Sequence, residues 1–305
     1  MPPSILRLLA VLSLSVLAAC AGKPKQEEPD PNATLPGYEG VQDGEFFIPP
    51  VPANLLAEDR AKVEVAYTGP EAPGTIVVDT HARKLYHVLE GGRAERYAIA
   101  VGREGLSFRG TGVIGRKAEW PSWQPTANMV RTRPDLYAEY AGGMAGGLDN
   151  PLGARALYLY RGGRDTMFRI HGTVQNESIG HATSAGCIRL FNQDAINLYN
   201  QVPVGTQVKV RTLEESLAIE GPYMDDAYGR AVPETPENIA RKAEDEQRIV
   251  EEAARKAEEE RIAAEEAAKA AAKADKKRLA ACKRQRIAAE DCPPLPVAEA
   301  EAVQG

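Results

Sequence analysis

His171 and Cys187 lie sixteen residues apart in the stretch HGTVQNESIGHATSAGCIRL. A thiol attacks a carbonyl as its thiolate, and an imidazole within reach is the usual means of removing the proton. The histidine closes the apolar run MFRI and is followed by Gly172, so its ring can stand at a strand exit facing a cleft. Gly186 precedes the cysteine, where the missing Cβ lets a substrate approach the backbone. The N–H groups around Gly186 and Cys187 are then suited to an oxyanion. Arg189, two residues further on, shares a face with Cys187 if the segment is extended, and could clasp a carboxylate through two parallel hydrogen bonds. The set describes a Cys–His dyad for acyl transfer. Spacing alone equally allows a buried free cysteine beside an unrelated histidine.

The other cysteines bear on that choice. The chain holds Cys20, Cys187, Cys282 and Cys292. Residues 1–20 have the layout of a secretory signal, with Arg7 ahead of an apolar run from Leu8 to Leu17. That run is shorter than the roughly 20 apolar residues a bilayer span needs. Leu17-Ala18-Ala19-Cys20 resembles a bacterial lipobox, in which Cys20 becomes the lipidated first residue and tethers the chain to a membrane without crossing it. An ordinary signal cut near Ala19 or Ala21 is the alternative. Cys282 and Cys292 can bridge if the chain turns back between them; an unbroken helix would hold their Cα atoms about 15 Å apart, too far for a disulfide. Either way they offer each other a partner. Cys187 is then the odd thiol in an exported chain, and a candidate reactive group.

The elements that must position these residues follow from composition. Residues 21–73 are rich in Pro, Gly and acids and read as a flexible tether, although EFFIPPVP (45–52) could dock on a folded domain. Residues 74–212 carry short β-branched and aromatic runs at 75–80, 84–90, 96–102, 156–161, 167–172 and 206–211, with Gly91-Gly92 marking a hairpin. One helix is expected from Asn192, whose side chain can cap it, to just before Pro203. The fold class is mainly β. A linker spans 213–236. Residues 237–292 form a charged Ala/Glu/Lys/Arg helix of roughly 80 Å, and 293–305 are a disordered tail. Large apolar residues in the helix keep no heptad, which favours a solvated single helix or a partner-docking arm over a sustained coiled coil. The net charge of −6 gives no sign of a nucleic-acid partner.

The stretch 171–196 resembles the signature of the L,D-transpeptidase family with its YkuD-type catalytic domain. In that family a His-Gly is followed at about this distance by Ser-x-Gly-Cys-[Ile/Val]-Arg and a short helix. His171, Gly172, Ser184, Gly186, Cys187 and Arg189 fall on the pattern, and Ala185 stands where the family often has His or Ser. The likeness extends upstream through VVDTHARKLYHV, AVGREGLSFRGTGVIGRKAEWPSW and NPLGARALYL, covering roughly 74–212.

The resemblance implies a β-sandwich-like domain acting on peptidoglycan stem peptides. Cys187 would form a thioester at the third residue of a tetrapeptide stem, and an amine would resolve it to a 3→3 cross-link. His171 would move the protons, oriented by the carbonyl near Gly172. No metal or cofactor is implied. Hydrolysis of the thioester, or attachment of a protein to the wall, would use the same intermediate. A non-catalytic wall-binding tether, with the long helix docking a protein partner, is the reading from another class. The expected location is the periplasm, anchored through Cys20, with the outer membrane favoured. A zinc site from His171, His181 and Cys187 is disfavoured, because neither Cys-x-x-Cys nor His-Glu-x-x-His occurs. His181 is expected at a cleft edge, His81 and His87 in packing or solvent, and Trp120 and Trp123 as a substrate wall or as packing under the Pro-rich loop.

Overall fold

The computed structural model describes residues 34–57, 59–102, 108–184, 186–288 and 292–294, with the backbone alone at Ser184. The signal segment with Cys20, Ala185 and the chain beyond 294 lie outside the described residues. The chain runs through β1 (Val41–Asp43), β2 (Phe46–Ile48), α1 (Ala53–Leu56) and β3 (Val63–Ala66). It then forms a meander of β4 (Ile76–Asp79), β5 (Lys84–Leu89) and β6 (Arg93–Ala98). Gly91 and Gly92 turn that hairpin with φ of +73° and +68°, the left-handed conformation that a tight turn requires of both residues.

Next come β7 (Val101–Gly102) and β8 (Gly110–Glu119). An excursion with α2 (Ala127–Thr132) and α3 (Pro134–Tyr137) leads to β9 (Arg155–Arg161) and β10 (Arg164–Thr173). After β11 (Ala182–Ser184) and β12 (Ile188–Phe191) follow α4 (Asn192–Gln201), β13 (Gln207–Val210), α5 (Leu213–Ile219), β14 (Tyr223–Asp225), β15 (Ala231–Pro233) and α6 (Pro236–Arg284).

Nine strands hydrogen-bond in the order β12-β10-β9-β8-β13-β4-β5-β6-β3. This is one continuous sheet where a sandwich-like pair of layers was expected. It curls back on itself: Ala100, just past β6, exchanges both backbone hydrogen bonds with Arg189 of β12, at 3.0 and 2.9 Å. The enclosed face holds Ile76, Leu85, Tyr97, Ile114, Leu159, Ile170, Ile188 and Leu190, closed by Ala195 and Leu198 of α4.

Two expected linkers are folded. The 21–73 tether packs from Tyr38 onward. Tyr38, Ile48, Val51 and Leu56 are buried, and Tyr38 stacks edge-on against Phe191. Asp43 binds Arg155 through both carboxylate oxygens (2.6 and 2.9 Å) and accepts from Trp120 Nε1. Phe46 lies 4.3 Å from the Trp120 ring, so that tryptophan is packing, and Trp123 packs against Tyr137 and Tyr140. The 213–236 linker is held by a buried polar network. Ser216 donates to Asp79, which pairs with Arg211, while Arg211, Tyr86 and Lys84 all converge on Glu220. In both segments composition hid contacts that exist only once the sheet is in place.

α6 has Thr235 as its N-cap and Pro236 in its first turn. It ends at Arg284, eight residues short of the expected 292, where Arg286 adopts φ +60° and the chain reverses to form the Cys282–Cys292 disulfide with Cα atoms 5.9 Å apart. Among the described residues no helix is long and apolar enough to cross a membrane.

The Asp43–Arg155 pair pins the N-terminal segment, and the Arg155 side chain is only 6% exposed. Asp43→Ala leaves a buried guanidinium short of its charge partner. It is expected to cost about 2–4 kcal/mol in urea unfolding, whereas Asp59→Ala, at a largely exposed carboxylate, should cost under about 1 kcal/mol.

Candidate active site

The site is built on two parallel strands. β10 and β12 pair with Ile170 opposite Ile188 and His171 opposite Arg189. Side chains alternate, so Ile170, Ile188 and Leu190 enter the core while Arg169, His171 and Arg189 share the other face. Cys187, the residue before β12, falls beside Arg169 on that face, and the Arg169 backbone N–H donates toward its sulfur. Strand spacing and rise put the Cα atoms of Cys187 and His171 about 8 Å apart on a diagonal, a gap that a thiol and an imidazole pointing to one face can close. His171 therefore sits within β10 rather than at its exit.

His171 is 4% exposed, and its Nδ1 lies 2.6 Å from the Gly172 carbonyl oxygen. A carbonyl only accepts, so Nδ1 carries the proton and donates, leaving Nε2 as the acceptor of the neutral ring. Burial, helped by Arg189 and Arg169, pulls its pKa down to about 4, against the Gly172 and Leu152 carbonyls. Burial pushes the Cys187 thiol up, while the Arg169 N–H and the charges of Arg169 and Arg189 pull it back down. At neutral pH the resting pair is thus a thiol and an uncharged imidazole. The sequence reading expected an imidazole-lowered thiolate; burial outweighs the cations.

The glycines have separate reasons. A Cβ on Gly172 would stand 2.2 Å from Asn192 Oδ1, and one on Gly153 would stand 2.3 Å from the same atom. Asn192 does not cap α4: it lies inside the helix, and its Oδ1 accepts from Ala154 N–H at 2.9 Å. That bond ties the loop before β9 to the turn after β12, pressing both glycines against one side chain. Gly186 holds φ +127°, which disfavours any side chain just before the cysteine. Ser184 contributes its backbone to the pairing of β11 with β7, opposite Gly102.

Arg189 is half-buried and donates to Gln175 Oε1 at 3.1 Å. Burial lowers its pKa, opposed by the charges of Cys187 and Tyr137. Sequence reasoning missed Arg169. It is gripped by Asp165 through both carboxylate oxygens (2.7 and 2.9 Å) and lies over the Tyr158 ring at 4.2 Å. The signal was period-two alternation, which sets Arg169 on the histidine's face, but a register shift between Asp165 and Arg169, with Met167 at φ +65°, obscures it.

His181 is partly buried and bridges to Arg230, His81 is exposed, and His87 is buried near Glu95. Among the described residues no three His, Cys, Asp or Glu side chains gather as a metal-ligand set.

The L,D-transpeptidase catalytic domain model, YkuD, matches residues 73–210, which hold His171, Cys187, Arg169 and Arg189. A Fuscovulum blasticum protein, named Putative L,D-transpeptidase in ATP synthase subunits region ORF 5, is 38% identical over 137 residues, covering 44% of this chain and 68% of that protein. The chain belongs to the L,D-transpeptidase family. The Escherichia coli K12 protein named Probable L,D-transpeptidase ErfK/SrfK is 34% identical over 139 residues, 45% of this chain. The chain spans 43% of the length of that relative. A Brucella melitensis crystal structure titled as a probable carnitine operon oxidoreductase, caia, is 46% identical over 52% of this chain and 96% of its own, with a TM-score of 0.36. Within this L,D-transpeptidase domain the family's His-Gly and Gly-Cys segments occupy β10 and the entry to β12.

The buried histidine has an opposite number. Burial raises Asp194, in the first turn of α4, to about 7, although the Tyr38 hydroxyl donates to both its oxygens at 2.9 and 3.1 Å. Between the ordinary histidine value of 6.5 and about 4, the unfolded chain binds a proton at His171 that the folded chain refuses, so stability falls as pH falls. Between 3.8 and about 7, Asp194 holds a proton that the unfolded chain releases, so its contribution runs the other way. Asp194→Asn should therefore unmask the histidine. Its unfolding free energy is expected to drop on the order of 3 kcal/mol more than that of wild type from pH 6.5 to 4, read by denaturant titration at each pH.

Proposed function

We propose that this chain is a peptidoglycan L,D-transpeptidase with Cys187 as nucleophile and His171 as its base. The observation that supports this most is the β10/β12 register, which sets a neutral imidazole, its Nδ1 donating to the Gly172 carbonyl, on the face of Cys187 and two arginines. The Cys187 proton passes to Nε2 as Sγ attacks the carbonyl of the L-centre of diaminopimelate at position 3 of a tetrapeptide stem. The N–H groups of Gly186 and Cys187 receive the oxyanion. The C–N bond to D-Ala breaks, and the imidazolium returns its proton to the leaving amine, giving a thioester.

An amine of a second diaminopimelate then gives its proton to Nε2 and attacks the thioester. The C–S bond breaks, and the thiolate recovers the proton. Both halves balance with thiol, imidazole and amine, and neither uses a cofactor. Arg189, with Arg169 beside it, binds a stem carboxylate and steadies sulfur while it is anionic. His171 works as a neutral base, so activity should fall below about pH 5 as it protonates, in keeping with its pKa of about 4. We further propose that the chain is exported and tethered in the periplasm through lipid on Cys20. α6 then extends outside the catalytic sheet.

Incubating the purified chain with disaccharide-tetrapeptide should give a cross-linked dimer and free D-Ala by mass spectrometry, and a carbapenem should add covalently at Cys187. Cys187→Ala should abolish both, and His171→Gln should slow turnover about 10²–10⁴-fold. Tripeptide without dimer would move the acceptor to water. No turnover and no adduct would contradict the proposal.

A further inference from the structure

α6 is a 49-residue rod, about 74 Å long, and its last turns carry one sign of charge. From Ala267 to Arg286 eight bases accompany a single acid, Asp275. Successive helical residues stand about 100° apart, which fixes where each base points around the rod. Lys273, Lys276, Lys277, Lys283 and Arg284 fall within an arc of about 120° that runs about 17 Å along the axis. All five are exposed, and among the described residues none of them forms an ion pair. The arc holds no apolar residue larger than Ala280.

The opposite side of the same turns is covered by the chain's own return. Ala271, Asp275, Arg278 and Cys282 lie there, all buried or half-buried. The Cys282–Cys292 disulfide ties the return to the rod. Arg278, the helical base turned that way, is consumed by it. It pairs with Asp275 at 2.8 Å and donates to the Cys292 and Pro293 carbonyls at 2.9 and 3.1 Å. The five other bases are thereby left as the open face. Carried back toward the sheet, that side of the rod changes sign. Glu258, Glu259, Glu265 and Glu266 occupy it, and Lys269, at the boundary, pairs with Glu265 at 2.6 Å.

We propose that the last turns of α6 dock on a lipid surface rich in anionic phosphate headgroups. Cations confined to one side of a straight rod match a plane of negative charge, whereas a polyanion that wrapped the rod would call for bases on every side. Four of the five are lysines, hydrated point charges that attract phosphate without demanding a fixed partner geometry. Headgroups that diffuse in a plane offer no fixed geometry. The arc has no aromatic ring to stack on a sugar or base and no large apolar side chain to insert below the headgroups. The attraction is therefore electrostatic, about fivefold in affinity for each base near the surface. The acids of the preceding turns are repelled, and a Debye length of about 8 Å confines each effect to its own turns. The rod meets the surface by its far end, while Pro236, about 56 Å back along the axis from Lys273, carries the sheet away from it.

The purified full chain bearing Cys20→Ala, which removes any acyl group, is to be sedimented with vesicles of phosphatidylcholine, alone or mixed with phosphatidylglycerol. Neutral vesicles give the baseline set by the apolar run from Leu8 to Leu17. Anionic vesicles should bind on the order of a hundredfold more tightly, and the difference should vanish near about 1 M salt. Each of Lys273→Gln, Lys276→Gln, Lys277→Gln and Lys283→Gln should cost about fivefold, and the four together should bring binding within about fivefold of the baseline. Glutamine keeps nearly the helix propensity of lysine, and circular dichroism checks that the helix persists. Lys256→Gln, outside the arc and in the acidic half, should leave binding unchanged. Inorganic phosphate at matched charge should displace nothing. Equal binding to both vesicles, a preference that survives the four substitutions, or an equal loss with Lys256→Gln would each overturn the proposal. So would displacement by soluble polyglutamate at matched charge, which would assign the face to an acidic protein.

Discussion

The parallel pairing of β10 with β12 is the contact on which the rest of the molecule turns. Parallel neighbours cannot be joined by a tight hairpin, so the chain must leave β10, travel, and return in the same direction. The residues between Thr173 and Ile188 make that journey, and they bring the sulfur back beside Arg169. The register is fixed from the opposite face: Ile170, Ile188 and Leu190 are buried together, and a slip of one residue would turn all three outward. The core therefore sets the register of the dyad, and the Gly172 carbonyl then orients the imidazole.

The same burial decides the electrostatics. His171 is driven toward its neutral form and Cys187 toward the thiol, although two arginines stand close enough to favour the thiolate. Arg169 cannot move in to overcome this, because Asp165 and the Tyr158 ring hold it. The cations assist most when sulfur becomes anionic during reaction. A cysteine kept as a thiol at rest is less exposed to oxidation than a standing thiolate, which suits a chain that, as we propose, works in the periplasm. Behind the site, Asp194 holds its proton against the Tyr38 hydroxyl while His171 refuses one, so the two buried groups offset each other across mildly acidic pH.

The local chemistry was legible in the sequence. The hairpin at Gly91-Gly92 and the strands around His171 and Cys187 followed from turn residues and alternation, whereas cysteine arithmetic made Cys282 and Cys292 possible partners and left their closure open. What escaped depended on partners far along the chain. Tyr38 and Asp43 sit in a Pro-rich segment whose composition suggests a tether, yet the partners of Tyr38, Asp194 and Phe191, and that of Asp43, Arg155, lie more than 100 residues away. Asn192 looks like a cap because it opens a helix, but its amide oxygen serves Ala154 across the turn. Two packed layers and one curled sheet share the same strand pattern, and only the Ala100–Arg189 closure separates them.

The state of the resting dyad tests the account most directly. Ultraviolet thiolate absorbance, titrated with pH on wild type and with Cys187→Ala subtracted, isolates Cys187, the cysteine outside the disulfide among the described residues. A neutral pair predicts no thiolate signal at neutral pH and a rise above the ordinary thiol range of about 8.5. A thiolate signal that persists through neutrality into acid, with His171 carrying a proton, would mean a standing ion pair and contradict the account.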